Sequence, residues 1–233
     1  ETQAAVNGCD VYTTLDQDQQ RSMQQTYDDD DNFPQNSADG TMVQSASIAM
    51  NPKNGGITAV VGGRGKHVFR GFNRSTQMRR QPGSTIKPIV VYTPALEHGY
   101  FYDSTLQDKK QSYGTNNYTP KNYDDTYSGT VPMYKALYES LNAPAVWLLN
   151  KIGVNRGYDM AKKFGLPVEK GDKNLALALG GMTRGVSPQQ MARAYAVFAN
   201  DGLMPSPHYI TKIEDASGKV IAKNDGSKNK RII

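Results

Sequence analysis

Arg80-Gln81-Pro82-Gly83-Ser84-Thr85-Ile86-Lys87-Pro88 is the stretch on which the fold turns. A Gly-Ser pair opens an apolar run, and a lysine follows the serine by three positions. Pro88 is tolerable only in the opening turn of a helix, while Ile86, Ile89, Val90 and Leu96 supply apolar faces. The spacing therefore predicts a helix over residues 84–97, loosened at its far end by Pro94. Positions i and i+3 share a helix face. Ser84 would sit at the positive end of the helix dipole, which favours a forming alkoxide, and the amine of Lys87 would reach its hydroxyl. A serine hydroxyl alone is a weak nucleophile. A lysine kept neutral part of the time by desolvation and a neighbouring cation would act as its base. The same residues also fit a plainer role, with Ser84 as an N-cap and Lys87 as a solvated first-turn residue.

Downstream, apolar spacing of 3.6 residues predicts helices over residues 132–140, 143–152, 156–164 and 188–200. Ser187 is a good N-cap for the last of these, with Pro188 at its first position and Asp201-Gly202 as the stop. Ser140-Leu141-Asn142 falls in a break between two helices, where both polar side chains could face Ser84 across a cleft. Equally, Ser140 could end one helix while Asn142 caps the next. Residues 102–130 read as a long ordered surface loop, and residues 113–127 as tyrosine-rich packing that could also line a cleft. Trp147 reads as core.

Upstream, residues 10–15 read as a strand and Asp16 as the N-cap of a helix over residues 17–27. The acidic run 28–31 reads as a solvated connector. Two β-rich segments, 43–50 and 57–61, flank Asn51-Pro52-Lys53-Asn54-Gly55-Gly56 and form a hairpin. Residues 62–81 read as a loop, and residues 208–214 and 219–222 as a terminal hairpin.

A chain of 233 residues with 37% hydrophobic and 21% charged residues can bury a core in one large domain with irregular loops. No run approaches a membrane span, and residues 1–8 lack the layout of a leader peptide. The single cysteine, Cys9, closes no internal disulfide and reads as a small buried strand residue. No Cys/His cluster suggests a metal, and no cofactor is expected. A net charge of +5 suits an anionic surface, but the basic residues are scattered and no nucleic-acid motif accompanies them. His67, His98 and His208 occur in no hydrolase motif and read as surface or packing residues.

The combination S-x-x-K with a Ser-x-Asn element belongs to the motif set of penicillin-binding proteins and serine β-lactamases. Four blocks agree in order: residues 80–88, residues 140–142, the hairpin residues 47–52 with 55–63, and Leu179-Gly180-Gly181 through Val186-Ser187-Pro188 to residues 196–200. Together they resemble the transpeptidase domain of class A, bifunctional penicillin-binding proteins. The resemblance implies an α+β fold of the penicillin-binding-protein/serine β-lactamase type, with an antiparallel sheet packed by helices.

It also implies a D,D-transpeptidase that cross-links stem peptides ending in D-Ala-D-Ala and is acylated by β-lactams. By position, Ser84 is the nucleophile, Lys87 its base, Ser140 a proton relay and Asn142 a partner of substrate and Lys87. The third family motif, K-T-G or K-S-G, occurs nowhere in this sequence. The chain is therefore expected to be the N-terminal part of one transpeptidase domain, inactive alone, with the C-terminal strands in another piece. Its strand at residues 11–15 would then pair with strands absent here. A membrane anchor and a glycosyltransferase domain upstream would place it on the extracytoplasmic face of the bacterial membrane, within reach of cell-division or elongation machinery. Two rivals remain: a non-catalytic β-lactam sensor or wall-binding module of the same fold, and a serine β-lactamase using Glu97, Glu139 or Glu169 to activate water.

Overall fold

The computed structural model describes residues 8–233, so the expectation about a leader pattern in residues 1–8 falls almost wholly outside the described residues. They form two compact units. One combines residues 8–78 with Ser187–Ile233, and the other is Arg79–Val186. Helices and antiparallel strands occur in both, as expected for an α+β chain.

In the first unit, strand Cys9–Thr13 pairs antiparallel with Ile210–Asp215, with Val11 opposite Ile213, and Ile210–Asp215 pairs in turn with Val220–Lys223. The first strand therefore finds one partner within this chain and stands at the edge of this three-stranded sheet, with no strand on its other side among the described residues. Cys9 is half-buried rather than buried. Asp16 Oδ1 accepts the N–H groups of Asp18 and Gln19, both at 3.0 Å, and so starts helix Gln17–Asp28 as predicted.

That helix closes a sheet edge. The Gln20 amide accepts from Val60 N at 2.8 Å and donates to Val60 O at 3.0 Å, imitating a neighbouring strand along Ile57–Val61. The hairpin partner is Ser47–Met50, shorter than predicted. Its upstream residues are drawn into loop contacts instead, because Arg64 Nη1 takes Val43 O at 2.7 Å and Gln44 Oε1 takes Arg64 N at 3.0 Å. A helical turn, Arg74–Gln77, interrupts the predicted 62–81 loop and buries the Ser75 hydroxyl 2.9 Å from both Ser47 O and Val61 O. Ser187 and Gln190 form a reciprocal capping box at helix Pro188–Ala199.

In the second unit the predicted 84–97 helix is one continuous helical path with three pitches. A tight 3₁₀ turn at Gly83–Ile86 widens to a π turn at Pro88–Tyr92 and ends as an α turn at Thr93–Leu96. Pro94 explains the widening: its ring would collide with the carbonyl of Val90 four residues back, and it has no N–H to donate there. The path is the core of its unit, with Ile86, Ile89, Val90, Val91 and Ala95 all at 0% exposure. Helix Asn142–Ile152 packs on it and buries Ala145, Val146, Leu148 and Leu149, whereas Trp147 is only half-buried beneath Lys151. Helices Met133–Tyr138 and Val154–Lys163 complete this layer. Residues 102–130 are not wholly loop, because Thr105–Asp108 pairs with Gly129–Pro132. Of the tyrosines in residues 113–127 only Tyr113 is buried, and Tyr123 is fully exposed.

Gly157 makes the closest approach to the widened turn. A Cβ there would lie 2.5 Å from Val90 O and 2.6 Å from Leu149 Cδ1. Gly157→Ala is therefore expected to destabilise by about 1–3 kcal/mol through overpacking, against the roughly 1 kcal/mol that alanine would gain in an unobstructed helix. Urea unfolding measures the difference, and an unchanged or raised midpoint would contradict this packing.

Candidate active site

Ser84 is the second residue of the Gly83–Ile86 turn and is exposed. With about three residues per turn, a 3₁₀ helix stacks i and i+3, and the Lys87 N–H donates to Ser84 O. The turn is braced from outside by Gly180. Its φ is +85°, and a Cβ would lie 2.4 Å from Gly83 N, so a glycine lets the end of the Leu175–Leu179 turn abut the residue before Ser84.

Lys87 is buried to 1% exposure, one turn beneath the exposed serine. Its Nζ lies 2.7 Å from Ser140 O, 2.7 Å from Asn142 Oδ1, 3.2 Å from Leu141 O and 3.2 Å from Ser140 Oγ. None of these oxygens carries a formal charge. Their dipoles favour the ammonium, but burial prevails and pushes the Lys87 pKa down to about 8.

The structure thus brings Lys87, Ser140 and Asn142 together. It does not form the expected side-chain bond between Ser84 and Lys87. An ammonium has three protons and no lone pair, and four oxygens already compete for those protons. At neutral pH most of the lysine is in this form and cannot accept the serine proton, and only the deprotonated minority, enlarged by a pKa of about 8, can do so.

The Ser140 backbone explains how its turn delivers so many acceptors. Ser140 has φ +53°. Its N–H donates to Leu137 O, and that of Leu141 donates to Ala136 O, both at 3.0 Å. This is the Schellman ending of helix Met133–Tyr138, with a serine in the left-handed position where glycine is usual. The chain then enters helix Asn142–Ile152, so the Ser140 and Leu141 carbonyls and the Ser140 and Asn142 side chains converge on one point.

Asn142 does not cap its own helix. Leu141 occupies the N-cap position and has no side-chain acceptor to offer. The free N–H groups of Asn142 and Ala143 are met instead by Asn122 Oδ1, at 2.9 and 3.0 Å. Asn122 Nδ2 in turn donates to Asp108 Oδ1 at 2.7 Å and to Thr126 O at 2.9 Å, and Asp108 Oδ2 accepts from Ser128 N at 2.8 Å. Asn142 Nδ2 donates to Lys121 O at 2.8 Å, which leaves its Oδ1 facing Lys87. Asp108 and Asn122 escaped the sequence reading. Pro120-Lys121-Asn122 carries a residue type suited to capping, but its target lies twenty positions away.

Other candidates lie elsewhere. Glu139 pairs with Lys135 at 3.7 Å and Glu169 with Arg184 at 3.5 Å, and none of Glu97, Glu139 and Glu169 bonds to the four site residues. His98 Nδ1 contacts Pro94 O, His208 is buried, and His67 is exposed. Among the described residues no group of His, Cys, Asp and Glu is arranged to hold a metal ion.

The family profile for the penicillin binding protein transpeptidase domain matches residues 45–233. Penicillin-binding protein 2a of Streptococcus pneumoniae serotype 2 (strain D39 / NCTC 7466) is 48% identical over 231 residues, covering 97% of this chain and 31% of that protein. The chain thus spans about a third of that relative's length. The crystal structure of penicillin-binding protein 1A from Haemophilus influenzae is similar with a TM-score of 0.70 and 35% identity, over 80% of this chain and 29% of that one. The PonA1 protein from Mycobacterium tuberculosis in complex with penicillin V is similar with a TM-score of 0.79 and 25% identity, over 100% of this chain and 61% of that one. With a profile match across most of its length and the four sequence blocks in order, this chain belongs to the penicillin-binding protein transpeptidase domain family.

Proposed function

We propose that this chain carries the acyl-transfer centre of a peptidoglycan D,D-transpeptidase, with Ser84 as nucleophile. The observation that carries the proposal is a lysine buried among the oxygens of Ser140, Leu141 and Asn142, one helical turn from an exposed serine. Family membership and a similar protein's complex with penicillin V support it.

When Lys87 loses its proton, Nζ gains a lone pair that can accept the Ser84 proton. Ser84 Oγ then bonds to the penultimate D-Ala carbonyl carbon of a stem peptide. The carbonyl oxygen takes negative charge, and the Ser84 N–H, which has no intrahelical acceptor in the first turn, can stabilise it. As the C–N bond breaks, the proton held by Lys87 passes through Ser140 Oγ to the departing D-Ala nitrogen. An amine from a second strand attacks the ester and returns a proton by the same path, and Ser84 Oγ leaves as the hydroxyl. Asn142, fixed between Lys121 O and Lys87, can turn neither of its amide atoms without losing a bond. β-Lactams would acylate the same oxygen.

The whole of residues 1–233 is read as part of one transpeptidase domain acting on the outer face of the bacterial membrane. The family profile runs through both compact units in support. Among the described residues no helix is long and apolar enough to cross a membrane. The sequence contains no Lys-Thr-Gly or Lys-Ser-Gly triplet to take the substrate carboxylate. The chain alone is therefore proposed to be inactive, and the full-length protein is the material to test. Mass spectrometry after benzylpenicillin should place one adduct on Ser84, lost in Ser84→Ala and formed far more slowly in Lys87→Ala. It should persist for hours, because no carboxylate bonds to the site residues to activate water. An adduct on another residue, or turnover within milliseconds, would overturn the assignment.

Two further outcomes follow from the lysine and the serine turn. Below its pKa Lys87 is protonated and cannot act as a base, so the acylation rate should climb about tenfold per pH unit up to about 8 and level off above. Stopped-flow acylation between pH 6 and 9 checks this, and a flat or falling profile would remove Lys87 from the role. Ser140→Gly should raise stability by about 1 kcal/mol by relieving the left-handed serine, yet slow acylation on the order of 100-fold through the lost hydroxyl. Loss of stability, or unchanged acylation, would refute that division.

A further inference from the structure

Behind the Ser140–Asn142 turn lies a buried polar pair that the reaction does not touch. Asn122 is 3% exposed and Asp108 is 1% exposed, yet neither contacts Ser84 or Lys87. Burying an amide and a carboxylate in a core is costly unless their bonds are needed. Every polar atom of the pair is used: Asp108 takes Ser128 N and Asn122 Nδ2, and Asn122 places its oxygen on the first two N–H groups of helix Asn142–Ile152.

The order of donors and acceptors matters. Thr126 O can only accept, and both Asp108 oxygens accept here, so together they fix which way the Asn122 amide lies. With Nδ2 turned to Asp108 and Thr126 O, Oδ1 can face only the helix start. That start carries Asn142, whose Oδ1 holds Lys87 Nζ at 2.7 Å.

We propose that Asn122, oriented by Asp108, is a positioning residue that fixes the Asn142 side chain and the Ser140 and Leu141 carbonyls around Lys87, and so sets the rate of acyl transfer rather than the affinity for the acyl donor. The proposal rests on the transpeptidase reading, and its consequences reach the site through helix capping alone. Capping is electrostatically favourable at a helix N-terminus and is geometrically strict. A small displacement of an aligned base is felt strongly in rate.

The test uses full-length protein and benzylpenicillin, separating the affinity of the first complex from the acylation rate constant. It also follows the Lys87 Nζ signal in ¹⁵N-lysine-labelled protein, which reports the amine's surroundings whether or not Ser84 reacts. Asn122→Ala should lower the rate constant on the order of 10- to 100-fold at nearly unchanged affinity, and should broaden or shift the Nζ signal. Asp16→Ala, which removes a helix cap within the other compact unit, should lower stability with neither effect. Asn122→Asp alone sets two carboxylates together and should be slow. Adding Asp108→Asn reverses the donor and acceptor while keeping the cap, but leaves Thr126 O facing a carboxylate oxygen, so it should bring the rate constant and the Nζ signal part of the way back from those of Asn122→Asp.

An Asn122→Ala protein with the wild-type rate constant and Nζ signal overturns the proposal. So does a folded Asn122→Asp/Asp108→Asn protein no faster than Asn122→Asp. If Asn122→Ala does not fold, the comparison of those two aspartate-bearing proteins decides alone. Failure of the wild-type protein to acylate would fall on the transpeptidase reading, while the Nζ signals would still accept or reject the positioning role.

Discussion

The constraint on which the rest depends is the burial of one ammonium among uncharged oxygens. Lys87 could be neutralised cheaply by a carboxylate, as exposed lysines of this chain are, but none reaches it. The surroundings must therefore supply several neutral oxygens at bonding distance. That demand shapes the local backbone: a helix ends in a left-handed residue so that two successive carbonyls turn inward, and the next helix begins at once so that an asparagine side chain joins them. A serine at φ +53° costs about 1–2 kcal/mol relative to ordinary backbone. Its hydroxyl, 3.2 Å from Nζ, is what a glycine could not provide.

The same constraint explains why residues far apart in sequence converge. A helix beginning immediately after a left-handed turn has no room for its own capping residue, since Leu141 fills the cap position. Its first N–H groups must be satisfied by something else or remain orphaned in a buried setting. Asn122 does this from the long 102–130 segment, which is anchored by the short ladder between Thr105–Asp108 and Gly129–Pro132. The apparent loop is thus a bracket for the helix start, and its ordered backbone follows from that duty.

Much of this was legible in the sequence where the cause is local. The Asp16 and Ser187 caps, the hairpin around Asn54-Gly55 and the terminal hairpin all follow from residues within a few positions of one another. Ser84, Lys87, Ser140 and Asn142 were found by motif, and the gathering of the last three fits the break between helices. Two features depend on partners distant in sequence and could not be read. The Asp108–Asn122 pair caps a helix twenty residues on. The shortening of the first hairpin strand depends on Arg64 claiming Val43 O. The pitch change in residues 83–96 was half legible: Pro94 announced trouble, but its resolution as a widened turn at Pro88–Tyr92 needed Thr93, whose hydroxyl and N–H both settle on Pro88 O.

Two lysines of this chain show what a carboxylate would have changed. Lys212 bonds to Glu214 at 2.7 Å and lies over the Tyr12 ring, and the bond to Glu214 raises its pKa above the ordinary lysine value. A lysine so paired keeps its proton throughout the physiological range. Lys87 has more bonds, but to neutral oxygens and out of water, and its pKa falls to about 8. Neutral acceptors orient an amine without binding its proton tightly, because a dipole's attraction for the charge does not recover what is lost on leaving water. A carboxylate at position 142 would hold the proton on Lys87 as Glu214 does on Lys212, and it would have no N–H to offer Lys121 O. An amide at position 142 is thus the choice that aligns the amine while leaving it free to take up and release a proton near neutrality.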